Sequence, residues 1–206
     1  MSTQHKFGRR FGLTVAAVLI GAFAVAAPVA LAGGQVLPAQ AKPTGSTLAD
    51  AAKATAVYNT GGAEQAPPAK YQILKPGDAT VAPGTFLYIP VFYADDSPPV
   101  NPAPFPASLD DQQANADYLL SAIEAFTGLD DVVATFIEID GDLTVLDANY
   151  VAGVTTPPLG DGGGTNYIVS AAFVNPLKPG EHTLRIGAVL ADGTLIGPPA
   201  STITVK

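Results

Sequence analysis

Apolar residues from Tyr71 onward fall into short runs that are separated by turn residues. The run from Thr85 to Tyr93 is apolar at odd and even positions alike, which is typical of a strand that is buried on both faces. Pro90 lies inside this run and has no N–H to donate to a sheet, so the pattern predicts an edge position or a bulge there. Four later runs have the β-branched and aromatic content of strands: VVATFIEIDG, YIVSAAFV, EHTLRIGAVL and STITVK.

One segment between these runs has the spacing of a helix instead. Its apolar residues repeat every three to four positions on one face, and the predicted helix spans about 109–127. Ser108 and Asp111 fit a capping-box-like start, and Gly128 supplies a stop. The apolar face consists of Ala116, Leu119, Leu120, Ile123 and Phe126.

Short strands, turn signals and a single inserted helix, without regular alternation of strands and helices, favour a mainly β fold. We predict an antiparallel immunoglobulin-like β-sandwich over residues 70–206, with the helix at about 109–127 inserted. Residues 42–69 are rich in Ala, Thr, Gly and Pro and are predicted to be a flexible linker. A short helix in STLADAAKATAV is the alternative for part of this segment.

The N-terminus has the pattern of a signal peptide. Lys6, Arg9 and Arg10 precede the apolar segment LTVAAVLIGAFAVAA, which is too short for a comfortable membrane span. We predict a signal peptide over residues 1–32 that is cleaved after Ala32, with Ala41 as the alternative site, and no span in the mature chain. The general secretory route fits better than the twin-arginine route, and an uncleaved anchor is a further alternative. The expected location is secreted or periplasmic.

Removal of this segment makes the chain strongly acidic. The sequence has 18 Asp and Glu, 10 Lys and Arg, and no Cys. The signal contains three of the bases and none of the acids, which leaves seven bases against eighteen acids and a net charge of −11. Such a chain repels phosphate backbones, so nucleic acid is not an expected partner. The absence of Cys excludes disulfides, thiol nucleophiles and Cys-ligated metals.

The stretch EIDGDLTVLD, residues 138–147, has acids at the spacing of a calcium loop. Placing Gly141 at the sixth position of an EF-hand loop puts Phe136 at the first, where an oxygen ligand is required. The residues before it, VVATFI, are typical of a strand rather than of the helix that an EF-hand needs. Asp140 and Gly141 between alternating apolar residues instead predict a β-hairpin with a type I′ turn.

Acids are concentrated in the middle of the chain. No Lys or Arg occurs between Lys75 and Lys178, whereas fourteen acids lie from Asp78 to Asp161. Loop carboxylates that meet in space can bind calcium without a sequence motif. We name four candidate ligands of a calcium site: Asp95, Asp96, Asp140 and Asp142. The alternative is solvated surface charge, and no other cofactor is predicted.

His182 is the only histidine outside the signal peptide. It shares strand parity with Leu184 and Ile186, which predicts a structural, hydrogen-bonded side chain at the start of a strand. A Ser-His-Asp triad would lack its GxSxG context. A pair of carboxylates, as in glycosidases, is an alternative, but no pair stands out, and no catalytic residue is predicted.

The segment LKPGEHTLRIGAVLADG resembles the penultimate strand of many bacterial immunoglobulin-like domains. A strand like PGTFLYIPVF, a middle helix, a strand ending in Asp-Gly and then PGEHTLRI together resemble a group of poorly characterised exported bacterial proteins. This resemblance covers about residues 71–192. Those proteins often have cysteines near the early strand, which this chain lacks. The resemblance implies export and a β-sandwich, and it gives no catalytic residues to carry over to this chain.

These observations predict a secreted, non-enzymatic module that binds an extracellular glycan or protein, or that associates with the cell surface. Stabilisation by calcium is a further hypothesis. One alternative is a carboxylate-dependent extracellular hydrolase acting on polysaccharide. Another is a structural envelope protein. Fold class alone does not decide between the three.

Overall fold

The computed structural model describes residues 35–60, 71–97, 103–160 and 162–206. The predicted signal peptide, residues 1–32, lies outside these ranges. Residues 61–69 of the predicted linker also lie outside them. Export and cleavage therefore stay predictions.

Ten strands in the described residues form two sheets. The first sheet has the order β1-β3-β7-β6, and the second has the order β2-β10-β8-β4-β5, with β9 paired to β8. The strands are β1 (Tyr71–Ile73), β2 (Ala79–Val81), β3 (Phe86–Asp95), β4 (Val132–Ile139), β5 (Asp142–Leu146), β6 (Val151–Thr155), β7 (Asn166–Val174), β8 (Gly180–Leu190), β9 (Leu195–Ile196) and β10 (Ser201–Val205). The prediction of a mainly β fold is confirmed.

Both sheets are mixed, so the prediction of a purely antiparallel arrangement is wrong. β1 pairs with β3 in parallel, and β2 pairs with β10 in parallel, whereas the remaining pairs are antiparallel. The reason is that β1 and β2 lie in different sheets. Since β2 intervenes along the chain, no hairpin joins β1 to β3, and the two strands can run in the same direction.

The two sheets share a hydrophobic core. Leu87 and Val174 from the first sheet cluster with Ile137, Ile139 and Ile203 from the second. Even-numbered residues of β7 face the second sheet, whereas its odd-numbered residues belong to a second cluster on the opposite face. β7 is consequently buried on both faces along nearly its whole length.

β3 contains the predicted irregularity at its proline. The pairing of β3 with β7 shifts register between Pro90 and Phe92, which is the bulge that a strand proline favours. β1 pairs with β3 only as far as Tyr88, so at Pro90 β3 is hydrogen-bonded to β7 alone among the described strands, and the predicted edge position fits as well as the bulge. Leu87, Tyr88 and Ile89 are almost fully buried, as their two-sided apolar pattern predicts.

Residues 42–60 differ from the flexible linker that was predicted for residues 42–69. The alternative, a short helix in STLADAAKATAV, is the one observed: helix α1 spans Leu48–Asn59, and Thr47 forms a reciprocal capping box with Asp50. Ala51, Ala52 and Ala56 are fully buried in the second cluster, under the outer face of the first sheet. Alanine has no long side chain to hold the helix away from the sheet, and a face of small residues gives only a weak amphipathic signal in the sequence. The packed unit therefore begins before residue 70.

Helix α2 spans Gln112–Thr127, close to the predicted range of about 109–127. Asp111 caps it by accepting a hydrogen bond from the Ala114 N–H, so the predicted start at Ser108 is three residues early. Gly128 adopts a left-handed conformation with φ 69° and ends the helix as predicted. Of the helices in the described residues, none has both the length and the apolar content to cross a bilayer.

Candidate functional site

The stretch that resembles a calcium loop is a β-hairpin. β4 and β5 are antiparallel, with Ile139 opposite Asp142, so two residues form the loop. Asp140 has φ 54° and Gly141 has φ 85°, and a type I′ turn requires positive φ at both positions. The hairpin prediction is confirmed.

Asp140 connects this hairpin to the beginning of β8. Its Oδ2 lies 2.6 Å from Nδ1 of His182, and its Oδ1 accepts a hydrogen bond of 2.9 Å from the Thr183 N–H. On the other side of the ring, Nε2 of His182 lies 2.8 Å from the carbonyl oxygen of Lys178. The predicted hydrogen-bonded setting of His182 is confirmed.

The partners of His182 determine its protonation. A carboxylate and a carbonyl oxygen both accept hydrogen bonds, so only the doubly protonated ring donates to both. The bond to Asp140 raises the pKa of His182, with a smaller contribution from Lys178. Partial burial raises the pKa of Asp140, but hydrogen bonds from His182 and Thr183 outweigh this and lower it overall. In its charged form the ring has no free lone pair to act as a general base.

Asp96 and Asp95 perform a similar structural role at the end of β3. Oδ1 of Asp96 accepts from the N–H groups of Thr165 and Asn166 at 2.8 and 2.9 Å, and its Oδ2 accepts from the Asn166 amide at 2.7 Å. Burial raises the pKa of Asp96, but these hydrogen bonds outweigh it and lower the pKa overall. Oδ1 of Asp95 accepts from the Ser97 N–H at 2.7 Å. Asp96 therefore connects the end of β3 to the start of β7, and Asp95 stabilises the turn that follows β3.

The structure separates the four predicted calcium ligands into two pairs. Residues from the start of β3 share a core cluster with residues from the end of β4, whereas Ala94 clusters with Val132 at the start of β4. Asp95 and Asp96 therefore lie at one end of the two sheets, and the hairpin residues Asp140 and Asp142 lie at the other. Within the described ranges, no three His, Asp or Glu side chains converge to hold a metal ion. Calcium binding stays a prediction, and it concerns two separate pairs of residues.

A cleft in the second sheet was not predicted from the sequence. It measures about 250 Å³ and is partly open to solvent. Its lining is apolar apart from one hydroxyl group and contains no ionisable side chain; it consists of Pro76, Gly77, Leu184, Ile186, Pro198, Pro199 and Ser201.

The cleft arises from an interruption of the sheet beside β8. Leu184 pairs with Ser201 of β10, and Ala188 pairs with Ile196 of β9. Residues 197–200 connect these pairs, and their two prolines have no N–H to continue the ladder. A Cβ on Gly187 would collide with the carbonyl oxygen of Ile196, so only glycine permits this close crossing. The Pro-Pro pair in IGPPAS was the sequence signal for the gap.

Among the described residues, the carboxyl groups with shifted pKa values all shift in the same direction. Asp50 and Asp192 have lowered pKa values because they accept hydrogen bonds from Thr47 and Thr194, as Asp96 and Asp140 do from their partners. A general acid in a hydrolase needs the opposite shift, so that it holds its proton near neutral pH. These four groups stabilise turns and caps in their charged form.

Comparisons of the chain with protein-family models, with curated proteins and with solved structures found no match.

Proposed function

We propose that this chain is an exported, non-enzymatic module that binds a glycan or protein outside the cytoplasm or associates with the cell surface. In this proposal the two sheets form a β-sandwich that is immunoglobulin-like in its layering, although not in strand direction. Export rests on the sequence pattern of residues 1–32 and on the resemblance of residues 71–192.

The observation that carries this proposal is the chemistry of the cleft. Its walls offer apolar surface from Leu184, Ile186 and three prolines, together with the hydroxyl of Ser201. Apolar concave sites with a few polar groups are the usual binding sites for small groups of a ligand. No acid or base lines the cleft, so it can bind a group but cannot transfer protons to it through a side chain.

The hydrolase alternative requires two carboxyl groups near one substrate position. Asp96 and Asp140, which have the most protein hydrogen bonds among the predicted site residues, lie at opposite ends of the sheets. Neither lines the cleft. At the cleft, the lining therefore supports binding better than hydrolysis.

The test uses the exported protein purified from the culture medium or periplasm. It is mixed with insoluble cell-wall polysaccharide, and two quantities are measured: depletion of protein from the supernatant and release of reducing ends. Ser201→Ala serves as the cleft variant, and Thr204→Ala on the same strand serves as the control. We expect the protein to be depleted from the supernatant without release of reducing ends. Ser201→Ala should weaken this depletion, and Thr204→Ala should not. Release of reducing ends that Asp96→Asn or Asp140→Asn abolishes would establish the hydrolase instead.

A structural envelope protein would behave differently in the same experiment. It would self-associate at micromolar concentration and show no saturable depletion. Sedimentation velocity at several protein concentrations, run beside the binding assay, separates this outcome from ligand binding.

A further inference from the structure

The edges of the two sheets are protected to different degrees. β1 and β2 are edge strands of only three residues each. β6, the other edge of the first sheet, has both described helices packed against it. β5 has five residues without proline, lysine or a bulge, and neither described helix packs along it. Exposed strand edges pair readily with other chains unless such devices block them. Among the edges in the described residues, β5 is the one best suited to pairing.

The backbone of β5 presents hydrogen-bonding groups away from the sheet. The Asp140 N–H donates to the Thr183 carbonyl oxygen. Counting back from Asp140 along β4, the backbone N–H and C=O groups of every second residue therefore point toward β8, and those of the residues between them point toward β5. Along an antiparallel ladder, residue pairs that exchange backbone hydrogen bonds alternate with pairs that do not. Asp142 opposes Ile139 at the turn, and this is a hydrogen-bonded pair. It follows that the N–H and C=O groups of Leu143 and Val145 point outward from the edge.

Side chains at this edge also favour a partner. Val145 is one of the exposed large apolar residues, with 37% of its surface accessible, and Val133 on neighbouring β4 is another at 52%. Pairing of an added strand would cover Val145 and satisfy the outward backbone groups. This mode of recognition combines main-chain hydrogen bonds with contacts to alternate side chains.

Charge selects the kind of partner. Asp142 and Asp147 flank β5 and are exposed. They lie five positions apart, roughly 16 Å along a strand. No Lys or Arg occurs anywhere between Lys75 and Lys178. A second copy of this acidic chain would bring like charges together, whereas a basic segment would bring opposite charges together.

We infer that the outer edge of β5 is a docking site for an extended segment of another protein, with Lys or Arg at both ends and β-branched residues between them. The segment adds a strand to the second sheet beside β5. This surface is separate from the cleft, which lies on the other side of β8, so either can exist without the other.

The test measures binding of a capped peptide, Lys-Thr-Val-Thr-Val-Lys, to the exported protein by calorimetry and by backbone amide shifts in NMR. Val145→Pro removes one outward N–H and leaves the β4 ladder intact, since edge strands tolerate proline. Val145→Thr keeps the N–H and is the matched control. Circular dichroism and the urea midpoint verify that each variant is folded.

We expect saturable binding that weakens with added salt, with amide shifts centred on residues 142–147. Val145→Pro should raise the Kd about tenfold, as loss of one interfacial hydrogen bond predicts, and Val145→Thr should leave it within about twofold. Asp142→Asn should weaken binding and flatten its salt dependence.

Four results would overturn the inference. The first is the absence of binding at millimolar peptide, and the second is binding by a folded Val145→Pro variant as tight as by the wild-type protein. The third is binding of a peptide with Glu in place of both Lys as tight as that of the Lys peptide. The fourth is self-association of the protein that Val145→Pro abolishes. The last result would identify a second copy of the chain as the occupant of the edge.

Discussion

The hydroxyl oxygens of Thr135 and Ser170 lie 2.5 Å apart across the space between the two sheets. Thr135 belongs to β4 and Ser170 to β7, and both residues are almost completely buried. Their surroundings are apolar core, so each hydroxyl depends on the other for a hydrogen bond. A slip of one sheet over the other would leave two buried hydroxyls without partners. The pair therefore helps to specify how the sheets are aligned.

A double-mutant cycle tests this relationship. Thr135→Val and Ser170→Ala should each lower the free energy of unfolding by about 1–3 kcal/mol, because each leaves one buried hydroxyl without a partner. The double variant should lose less than the sum of the two, by about 1 kcal/mol. Urea denaturation measures all four proteins, and Thr204→Val is the control. Additive losses would show that the two hydroxyls do not depend on each other.

The pair of His182 and Asp140 predicts a pH dependence of stability. The pKa of His182 is raised in the folded state, so its contribution is complete below the unfolded value of about 6.5 and is lost as pH rises through the folded pKa. In that window, stability should fall by up to about 1.4 kcal/mol per pH unit. Chemical denaturation from pH 5 to 9 measures this slope.

Two substitutions assign the slope to this pair. His182→Gln removes the titrating group, and Asp140→Asn removes its charged partner while keeping a side chain that tolerates positive φ. Both should flatten the fall in stability that begins above the unfolded pKa of about 6.5. At the acid end the lowered pKa of Asp140 acts in the opposite sense, because its contribution is present above the unfolded value and is lost as pH falls through the folded pKa. A slope that persists in His182→Gln would point to another group.

The carboxylate of Asp96 provides a third prediction, which is independent of metal. Asp96→Asn should lower the free energy of unfolding by about 1–3 kcal/mol in the presence of a chelator, because an amide nitrogen faces the Asn166 amide donor in place of an acceptor oxygen. Asp142→Asn, at an exposed position, should change stability by no more than about 0.5 kcal/mol. Thermal and urea unfolding in chelator measure both variants. An equal effect of the two substitutions would contradict the role given to Asp96.

Calcium provides a second readout with the same proteins. The predicted calcium sites require that calcium raise the melting temperature of the wild-type protein by mass action and that chelator lower it. Asp→Asn changes at Asp95, Asp96, Asp140 and Asp142 should reduce that response. An unchanged melting temperature would show that the excess acidic residues are surface charges and not calcium ligands.

Residues before α1 predict where the signal peptide is removed. The Leu37 N–H donates to the Phe173 carbonyl, the Asn175 N–H donates to the Gln35 carbonyl, and the Tyr150 hydroxyl donates to the Leu37 carbonyl. Cleavage after Ala41 would remove all three hydrogen bonds, whereas cleavage after Ala32 would preserve them.

We expect the exported protein to begin at Gly33, as intact mass spectrometry would show. A protein that begins at Lys42 should unfold at a lower urea concentration than one that begins at Gly33, because it lacks these bonds. Equal urea midpoints for the two proteins would mean that residues 35–37 contribute nothing to the fold. A natural N-terminus at Lys42 would favour the Ala41 site.

The sequence predicts those elements that are determined by the backbone preferences of neighbouring residues. The hairpin at Asp140 and Gly141, the stop at Gly128 and the bulge at Pro90 each depend on the backbone preferences of one or two residues. α1 was only the alternative to a linker, because its buried face consists of small residues that are stabilised by packing on the sheet beneath them. Likewise, the partners of Asp96 are about 70 positions away along the chain, and no local pattern predicts such a contact. The cleft depends on a register between β8 and its neighbours that only the folded sheet defines.

The position of β10 has a consequence for the order of events during folding. β10 is the last strand along the described chain, yet it lies inside the second sheet, between β2 and β8. β2 has no other neighbour in its sheet, so it cannot pair until β10 has crossed a separation of more than 100 residues. Contacts of such long range slow folding. The second sheet is therefore completed at its β2 edge only after β10 has joined it, and in a chain exported unfolded by the predicted general secretory route this step would follow translocation.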